Sequence, residues 1–197
     1  MSRIVFLRHG ETGWNAARRL QGQRDEPLSE VGRGQVLQAA SVLGTMPFEA
    51  VVSSDLRRAT ETLALLGRGS HRIDPRWREI DVGEWSGRSS LDLRSAVPDQ
   101  WRAWRAGDYT PPGGESGSDF RERIADALAA LAPDAPRVLV VTHGGAIRHA
   151  VSLMLGCRAE HLAPVPPASL TIIDRGSWPR LRAYAFSAQP RLEDAPD

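Results

Sequence analysis

Two histidines stand at equivalent points of the sequence, each directly after a short apolar run and before a glycine. The run Ile4–Leu7 leads through Arg8 to His9, and the run Val138–Thr142 leads to His143. A single imidazole at the end of a strand is more often a structural group that caps a loop than a reactive one. The carboxyl ends of parallel strands meet at one edge of a sheet, so two such strands would bring both imidazoles close together.

Positive groups gather at the same predicted edge. Arg8 precedes the first histidine, and the pair Arg57-Arg58 falls in the first turn of the helix predicted after Ala50–Ser53. Gly144 and Gly145 let backbone N–H groups approach a ligand, and the helix that starts there has a positive dipole end. Guanidinium groups bind phosphate oxygens in a bidentate manner, so this pattern predicts an anion pocket suited to phosphate.

A metal site is the weaker interpretation of the same residues. Two histidines and one carboxylate could form a facial set of metal ligands. The flanking guanidiniums would repel a divalent cation, however, so we expect neither a metal ion nor another cofactor.

The surrounding pattern predicts an α/β fold. Four apolar runs rich in branched residues indicate buried strands of a largely parallel sheet, and a fifth indicates an edge strand. They are Ile4–Leu7, Ala50–Ser53, Val138–Thr142, Leu170–Asp174 and, at the edge, Leu181–Phe186. Helical patterns lie between them, with Ser29 and Ser116 placed as N-caps. This alternation predicts a three-layer sandwich with helices on both faces of the sheet.

The segment from about 83 to 117 interrupts the alternation. It holds several aromatic residues, including Trp101 and Trp104, and the turn-rich Pro111-Pro112-Gly113-Gly114. We interpret it as a helical excursion that caps the site. The aromatic side chains have two interpretations: they bury the excursion against the rest of the domain, or they contact a ligand directly. The sequence supports the first at least as well as the second. A length of 197 residues fits one domain over residues 1–197, with a frayed tail at about 188–197.

Composition narrows the class of protein. The net charge of +1 gives no general attraction to nucleic acid. No stretch approaches the ~20 apolar residues that span a bilayer, and the N-terminal apolar run is too short for a signal peptide. Cys157 is the only cysteine, which favours a reducing compartment and an inert thiol. We therefore expect a cytoplasmic protein, whose oligomeric state the sequence does not indicate.

Five motifs in order resemble those of the histidine phosphatase superfamily, which includes cofactor-dependent phosphoglycerate mutases. Together they cover most of the chain. They are Leu7-Arg8-His9-Gly10-Glu11-Thr12 with Asn15, Leu28-Ser29-Glu30 with Gly32, Ser53-Ser54-Asp55-Leu56-Arg57-Arg58-Ala59 with Thr62, Arg78-Glu79-Ile80-Asp81-Val82-Gly83-Glu84-Trp85 with Gly87, and Thr142-His143-Gly144-Gly145. The length, the excursion and a Gly-Glu-Ser at 114–116 resemble small bacterial phosphatases, including those for α-ribazole phosphate.

The resemblance implies a role for each matching residue. His9 would be the nucleophile that becomes phosphorylated, and Arg8, Arg58 and His143 would bind the phosphate. Glu79 would be the proton donor, with Glu84 as the alternative. Further phosphate or substrate contacts are implied at four positions, namely Asn15, Gln21, Gly22 and Gly144.

The implied activity is hydrolysis of small phosphorylated metabolites through a phosphohistidine. A phosphoglycerate mutase is the alternative within the family, but the chain is short, and mutases usually carry longer insertions over the site. A non-catalytic module that binds phosphorylated partners is the alternative of another class. Such a module has no need of an acid, so the presence of Glu79 beside the phosphate-binding set disfavours it.

Overall fold

A six-stranded sheet forms the centre of the computed structural model, which describes residues 2–132 and 134–187. In spatial order the strands are β3-β2-β4-β1-β5-β6. Their bounds are β1 Ser2–Arg8, β2 Ala50–Ser53, β3 Arg72–Ile73, β4 Arg137–Thr142, β5 Leu170–Arg175 and β6 Arg180–Phe186. All five predicted strands are confirmed. The two-residue β3 was not predicted because it is too short to show a periodic pattern.

The parallel part of the sheet is β3-β2-β4-β1, and it places the carboxyl ends of β1 and β4 side by side. β5 is antiparallel to β1, and β6 is antiparallel to β5. After β4 and the helix that follows it, Gly144–Leu155, the chain passes through a segment with a 3-10 turn at Ala159–His161 and enters β5 beside the carboxyl end of β1, where Leu170 pairs with Leu7. Asp174 ties β5 to both neighbours by accepting from Nε of Arg3 at 2.7 Å and Nε of Arg182 at 2.6 Å.

Helices cover both faces of the sheet, as predicted. Their bounds are α1 Gly13–Ala16, α2 Glu30–Leu43, α3 Arg57–Leu65, α4 Ser90–Ala96, α5 Pro98–Ala106, α6 Gly117–Ala129 and α7 Gly144–Leu155. The hydroxyl of Ser29 accepts from the N–H of Gly32 at 3.0 Å, and that of Ser116 accepts from the N–H of Asp119 at 3.0 Å. Both predicted N-caps are therefore present.

Two apolar cores result from the alternation of side chains along the strands. Ile4 and Phe6 of β1 face the core under α6 and α7. Val5 and Leu7 face the opposite core under α2 and α3. Both faces of β1 are thus buried, which explains its uninterrupted apolar sequence.

The excursion carries α4 and α5 and has a small core of its own. Trp85 stacks on Trp101 with 6.2 Å between ring centroids and lies edge-on to Trp104 at 5.6 Å. The predicted frayed tail at about 188–197 lies outside the described residues. Within 2–132 and 134–187, no helix is long and apolar enough to cross a membrane.

Candidate active site

The end of β1 fixes the backbone of His9 on both sides. Its N–H donates to the carbonyl of Thr142 at 2.9 Å, and its carbonyl accepts from the N–H of Ala168 at 3.0 Å. The next residue, Gly10, packs against α2 so closely that a Cβ there would lie 2.5 Å from the carbonyl oxygen of Gly32. The loop after His9 can approach α2 this closely only because residue 10 has no side chain.

The His9 ring makes one hydrogen bond to its own loop. Nδ1 donates to the carbonyl oxygen of Gly10 at 2.7 Å, since a carbonyl can only accept. In the neutral ring this leaves the lone pair on Nε2. Burial lowers the pKa of His9 well below its usual value, and the charges of Arg58 and Arg8 lower it further. The imidazole is therefore neutral at physiological pH.

His143 lies beside His9, as the two strand ends predicted, with 5.1 Å between ring centroids. Its Nε2 pairs with the Ser54 hydroxyl at 2.9 Å, and its Nδ1 accepts from Nε of Arg58 at 3.2 Å. Burial lowers the pKa of His143 well below its usual value, and Arg58 contributes next. Ser54 follows β2 and was not predicted as a site residue.

Arg58 reaches the same place from the first turn of α3 and is almost fully buried. Its Nη1 donates to the carbonyl of Arg24 at 2.7 Å and its Nη2 to that of Gly22 at 2.8 Å. The carbonyls neutralise no charge, so the guanidinium keeps its positive field. Burial lowers the pKa of Arg58 to about 10, which still leaves it protonated at neutral pH.

Arg8 completes the basic group. Its Nη1 donates to the carbonyl of Val165 at 2.5 Å, and burial lowers its pKa to about 10. Five buried side-chain nitrogen or oxygen atoms of the described residues have no hydrogen-bond partner. Three of them, Nε of Arg8, Oε1 of Gln21 and Nε1 of Trp104, belong to residues lining one cavity. Because buried polar groups are normally paired, these three are suited to a polar ligand.

Glu79 meets this group from the loop after the 3-10 turn Pro75–Trp77. Its Oε2 accepts from the N–H of Gly145 at 2.9 Å, and its Oε1 from the N–H of Ile80 at 3.0 Å. A Cβ at Gly145 would lie 2.2 Å from Oε1, so the carboxylate fits only against a glycine. Glu84 is exposed and lines a separate surface depression.

One cavity of about 670 Å³ connects the predicted site residues. Eight of the nine predicted site residues line this cavity. The ninth, His143, lies directly behind it and contacts His9 and Arg58. Oδ1 of Asn15 accepts from Thr12, which leaves its Nδ2 for a ligand. Gly144 is the first residue of α7, where backbone N–H groups have no partner within the helix.

The excursion and α7 also contribute walls to the cavity. Trp104 and Tyr109 of the excursion line it, whereas Trp101 serves only the small aromatic core. His149 of α7 packs on Phe120 with 4.6 Å between ring centroids and also lines the cavity. Its position one helical turn after Gly145 is a signal that could have found it.

Two further residues that stood out in the sequence, Glu115 and Cys157, lie outside the group of predicted site residues. Glu115 of the Gly-Glu-Ser pairs with Arg123 at 2.7 Å and does not line the cavity. The thiol of Cys157 is half-buried at the cavity wall. Among the residues that the structure describes, no three His, Cys, Asp or Glu side chains are grouped so as to hold a metal ion.

Comparison with known proteins gives a consistent result. The model of the histidine phosphatase superfamily (branch 1) matches residues 4–180. Glucosyl-3-phosphoglycerate phosphatase of Mycolicibacterium vanbaalenii is 40% identical over 81% of this chain and 76% of its own. A Cronobacter sakazakii protein named "Probable phosphoglycerate mutase GpmB" is 38% identical over 81% of this chain and 77% of its own.

The solved structures agree with the sequence comparison. A mycobacterial glucosyl-3-phosphoglycerate phosphatase in complex with VO3 superposes with a TM-score of 0.82 and 36% identity, covering 95% of this chain and 100% of that chain. The matching family model spans every predicted site residue. The chain therefore belongs to the histidine phosphatase superfamily, branch 1, and is a phosphatase that hydrolyses phosphomonoesters of small molecules.

Proposed function

We propose that Nε2 of His9 attacks the phosphorus of the substrate and carries the phosphoryl group as a phosphohistidine. The single observation that carries this proposal is the hydrogen bond from Nδ1 of His9 to Gly10, which leaves Nε2 as the nitrogen with a lone pair. The lowered pKa of His9, caused first by burial, keeps that lone pair available at neutral pH.

Arg8, Arg58 and His143 would bind the oxygens of the transferring group. Preorganised positive charge in a water-poor site is the largest contribution in phosphoryl transfer. The carbonyl partners of both arginines support this role, because they hold the guanidiniums in place without neutralising them. Asn15 and the N–H of Gly144 would add neutral donors at the cavity wall, and Gln21 and Gly22 would border the substrate.

In its protonated form, Glu79 would donate a proton to the leaving oxygen; the carboxylate that results would then take a proton from the water that hydrolyses the phosphohistidine, which restores the acid. Its carboxylate is anchored to the amide of Gly145, next to the residues that would hold the phosphate. Glu84 lines a different depression, which favours Glu79 as the acid.

The substrate would be a small phosphorylated metabolite handled without a metal ion or other cofactor, by one domain in the cytoplasm. The net charge of +1 does not favour nucleic acid. The relatives add glucosyl-3-phosphoglycerate as a candidate substrate. A cavity of about 670 Å³ has room for more than a phosphate group.

His9→Ala is expected to abolish hydrolysis of an aryl phosphate, with a loss of about 1000-fold or more. Rapid acid-free quenching of the wild type during turnover should capture a phosphoryl group on His9 that is stable to base and labile to acid. Mass spectrometry of the peptide locates it. EDTA should leave the rate unchanged, because two guanidiniums repel a divalent cation.

His71→Ala is the matched control, since His71 is exposed and lies outside the cavity. Full activity of the His9 variant, or complete loss of activity on chelation, would contradict the proposal. Incubation with 3-phosphoglycerate and trace bisphosphoglycerate tests the mutase alternative. Rapid isomerisation without release of phosphate would identify a mutase.

A further inference from the structure

The cavity extends along one face of α7. Gly144, Arg148, Ser152 and Gly156 all line it, and their spacing of four residues places them one above another on the helix. At a rise of 1.5 Å per residue, this wall continues about 18 Å from the phosphate-binding end of α7. The site is therefore a groove whose far part lies beyond the group that is transferred.

Two arginines stand along this groove. Arg148 projects from α7 itself, about 6 Å along the axis from Gly144. Arg121 belongs to the neighbouring helix α6, and its Nη1 donates to the hydroxyl of Ser152 at 3.2 Å, about 12 Å along the same axis. Both line the cavity that contains His9.

Neutral groups hold both guanidiniums. Arg148 donates through Nε and Nη2 to the carbonyl of Ala159, at 3.2 and 2.8 Å. The partner of Arg121 is a hydroxyl that itself donates to the carbonyl of Cys157. Within residues 2–132 and 134–187, no carboxylate lies within salt-bridge distance of either arginine.

The cavity wall as a whole carries a net positive charge. Its lining residues include seven arginines and only two acidic residues, Glu79 and Glu160. In a chain of net charge +1, this is a strong local concentration. The transferring phosphate would use Arg8 and Arg58, which leaves Arg121 and Arg148 without a role in the proposed chemistry.

We propose that Arg121 and Arg148 form a second anion subsite that binds a carboxylate or a second phosphate of the substrate. The second anion would lie about 6 to 12 Å along α7 from the phosphate pocket. Planar guanidiniums with free N–H groups are suited to an oxyanion at this place. The inference rests on the proposed function and narrows its substrates to phosphomonoesters that carry another acidic group several bonds away.

The test compares three non-hydrolysable ligands by calorimetry at one ionic strength. They are benzylphosphonates whose para substituent is a carboxylate, a neutral carboxamide or a second phosphonate. Wild type should bind at least one of the two anionic ligands about tenfold more tightly than the carboxamide. Comparison of the carboxylate with the second phosphonate shows which anion fits.

Arg148→Gln and Arg121→Gln should each reduce the ratio of anion to carboxamide affinity to about threefold or less, and the double variant should bring it close to one. Arg148→Lys, which keeps the charge, should retain part of the preference. Arg102→Gln is the matched control, because Arg102 is exposed on α5, outside the cavity, and it should show the wild-type ratio.

A ratio near one in the wild type, or a ratio that the Arg121 and Arg148 variants leave unchanged, would overturn the subsite. Because binding of phosphonates needs no turnover, these outcomes are separate from failure of the proposed chemistry. Hydrolysis of an aryl phosphate that depends on His9, together with a ratio of one, would leave the phosphatase mechanism standing without the subsite. Failure of all three ligands to bind would overturn the phosphate pocket and the subsite together.

Discussion

In the proposed mechanism, the imidazole of His9 has both a structural and a reactive role. Nδ1 supports the loop through the carbonyl of Gly10, and the same bond leaves Nε2 as the nitrogen with a lone pair. His143 lacks this freedom, since Ser54 and Arg58 engage both of its nitrogens. The two histidines are therefore alike in sequence but different in the chemistry that they can perform.

Glu79→Gln is expected to lower kcat/KM by about 100-fold for alkyl phosphates and far less for 4-nitrophenyl phosphate. A poor leaving group needs a proton in the transition state, whereas nitrophenolate leaves without one. Steady-state kinetics over a series of leaving groups measures the difference. Glu84→Gln is the matched control: Glu84 is exposed, and its substitution should show no such trend. If Glu79→Gln slowed the hydrolysis of all substrates equally, Glu84 would be the better candidate for the acid.

Among the secondary-structure elements, α7 and the loop after the 3-10 turn Pro75–Trp77 together position Glu79, the proposed acid. The start of α7 offers its second amide to the carboxylate of Glu79, and the absence of a side chain at Gly145 makes room for it. β5 contributes in a different way. Because the chain enters it from the carboxyl edge, residues 165–168 pass beside β1, where Val165 holds Arg8 and Ala168 holds His9.

Gly145→Ala is expected to displace Glu79 without unfolding the helix. The new Cβ would lie 2.2 Å from Oε1 of Glu79, so the carboxylate must leave the amide. We expect kcat/KM for alkyl phosphates to fall about tenfold or more, because small misplacements of a catalytic group are costly. The midpoint of thermal unfolding should change little. Alanine stabilises a helix by about 1 kcal/mol relative to glycine, and this gain offsets the loss of the hydrogen bond to Glu79.

Gly34→Ala in α2 is the matched control for this prediction. A Cβ there meets nothing within 4 Å, so kinetics should match the wild type. Wild-type kinetics for Gly145→Ala would show that the contact between Gly145 and Glu79 does not position the acid.

At the scale of the whole molecule, the buried histidines link stability to pH. The free energy of unfolding should fall as the pH drops below about 6.5. Below this pH the unfolded chain takes up protons at His9 and His143. In the folded protein, burial lowers the pKa of both histidines well below this value, and the charge of Arg58 lowers it further. The loss approaches about 1.4 kcal/mol per pH unit for each histidine. Urea denaturation between about pH 7.5 and 5.5 measures the slope.

His9→Asn and His143→Asn should each reduce the slope of the unfolding free energy against pH. Each removes one group that binds a proton in the unfolded chain but not in the folded protein. His71→Asn should leave it unchanged, since His71 is exposed in the folded protein. An equal slope in all four proteins would show that the active-site histidines titrate alike in the folded and the unfolded chain.

Features that depend on near neighbours along the chain follow from the sequence alone. Short apolar runs predicted five strands, serines at helix starts predicted two N-caps, and the rule for parallel sheets placed His9 and His143 at one edge. These signals act over a few residues, so they can be read without knowledge of the fold. The resemblance of five ordered motifs added the family and pointed to Glu79.

Contacts between distant parts of the chain, in contrast, become visible only in the folded structure. Glu79 meets the amide of Gly145 across 66 positions, and Arg121 meets Ser152 across 31. The antiparallel direction of β5 and the groove along α7 depend on the path of loops and on helix packing, which no local period encodes. The sequence therefore indicated where a phosphate would be bound, whereas the length of the groove and the charge along it appeared only in the folded chain.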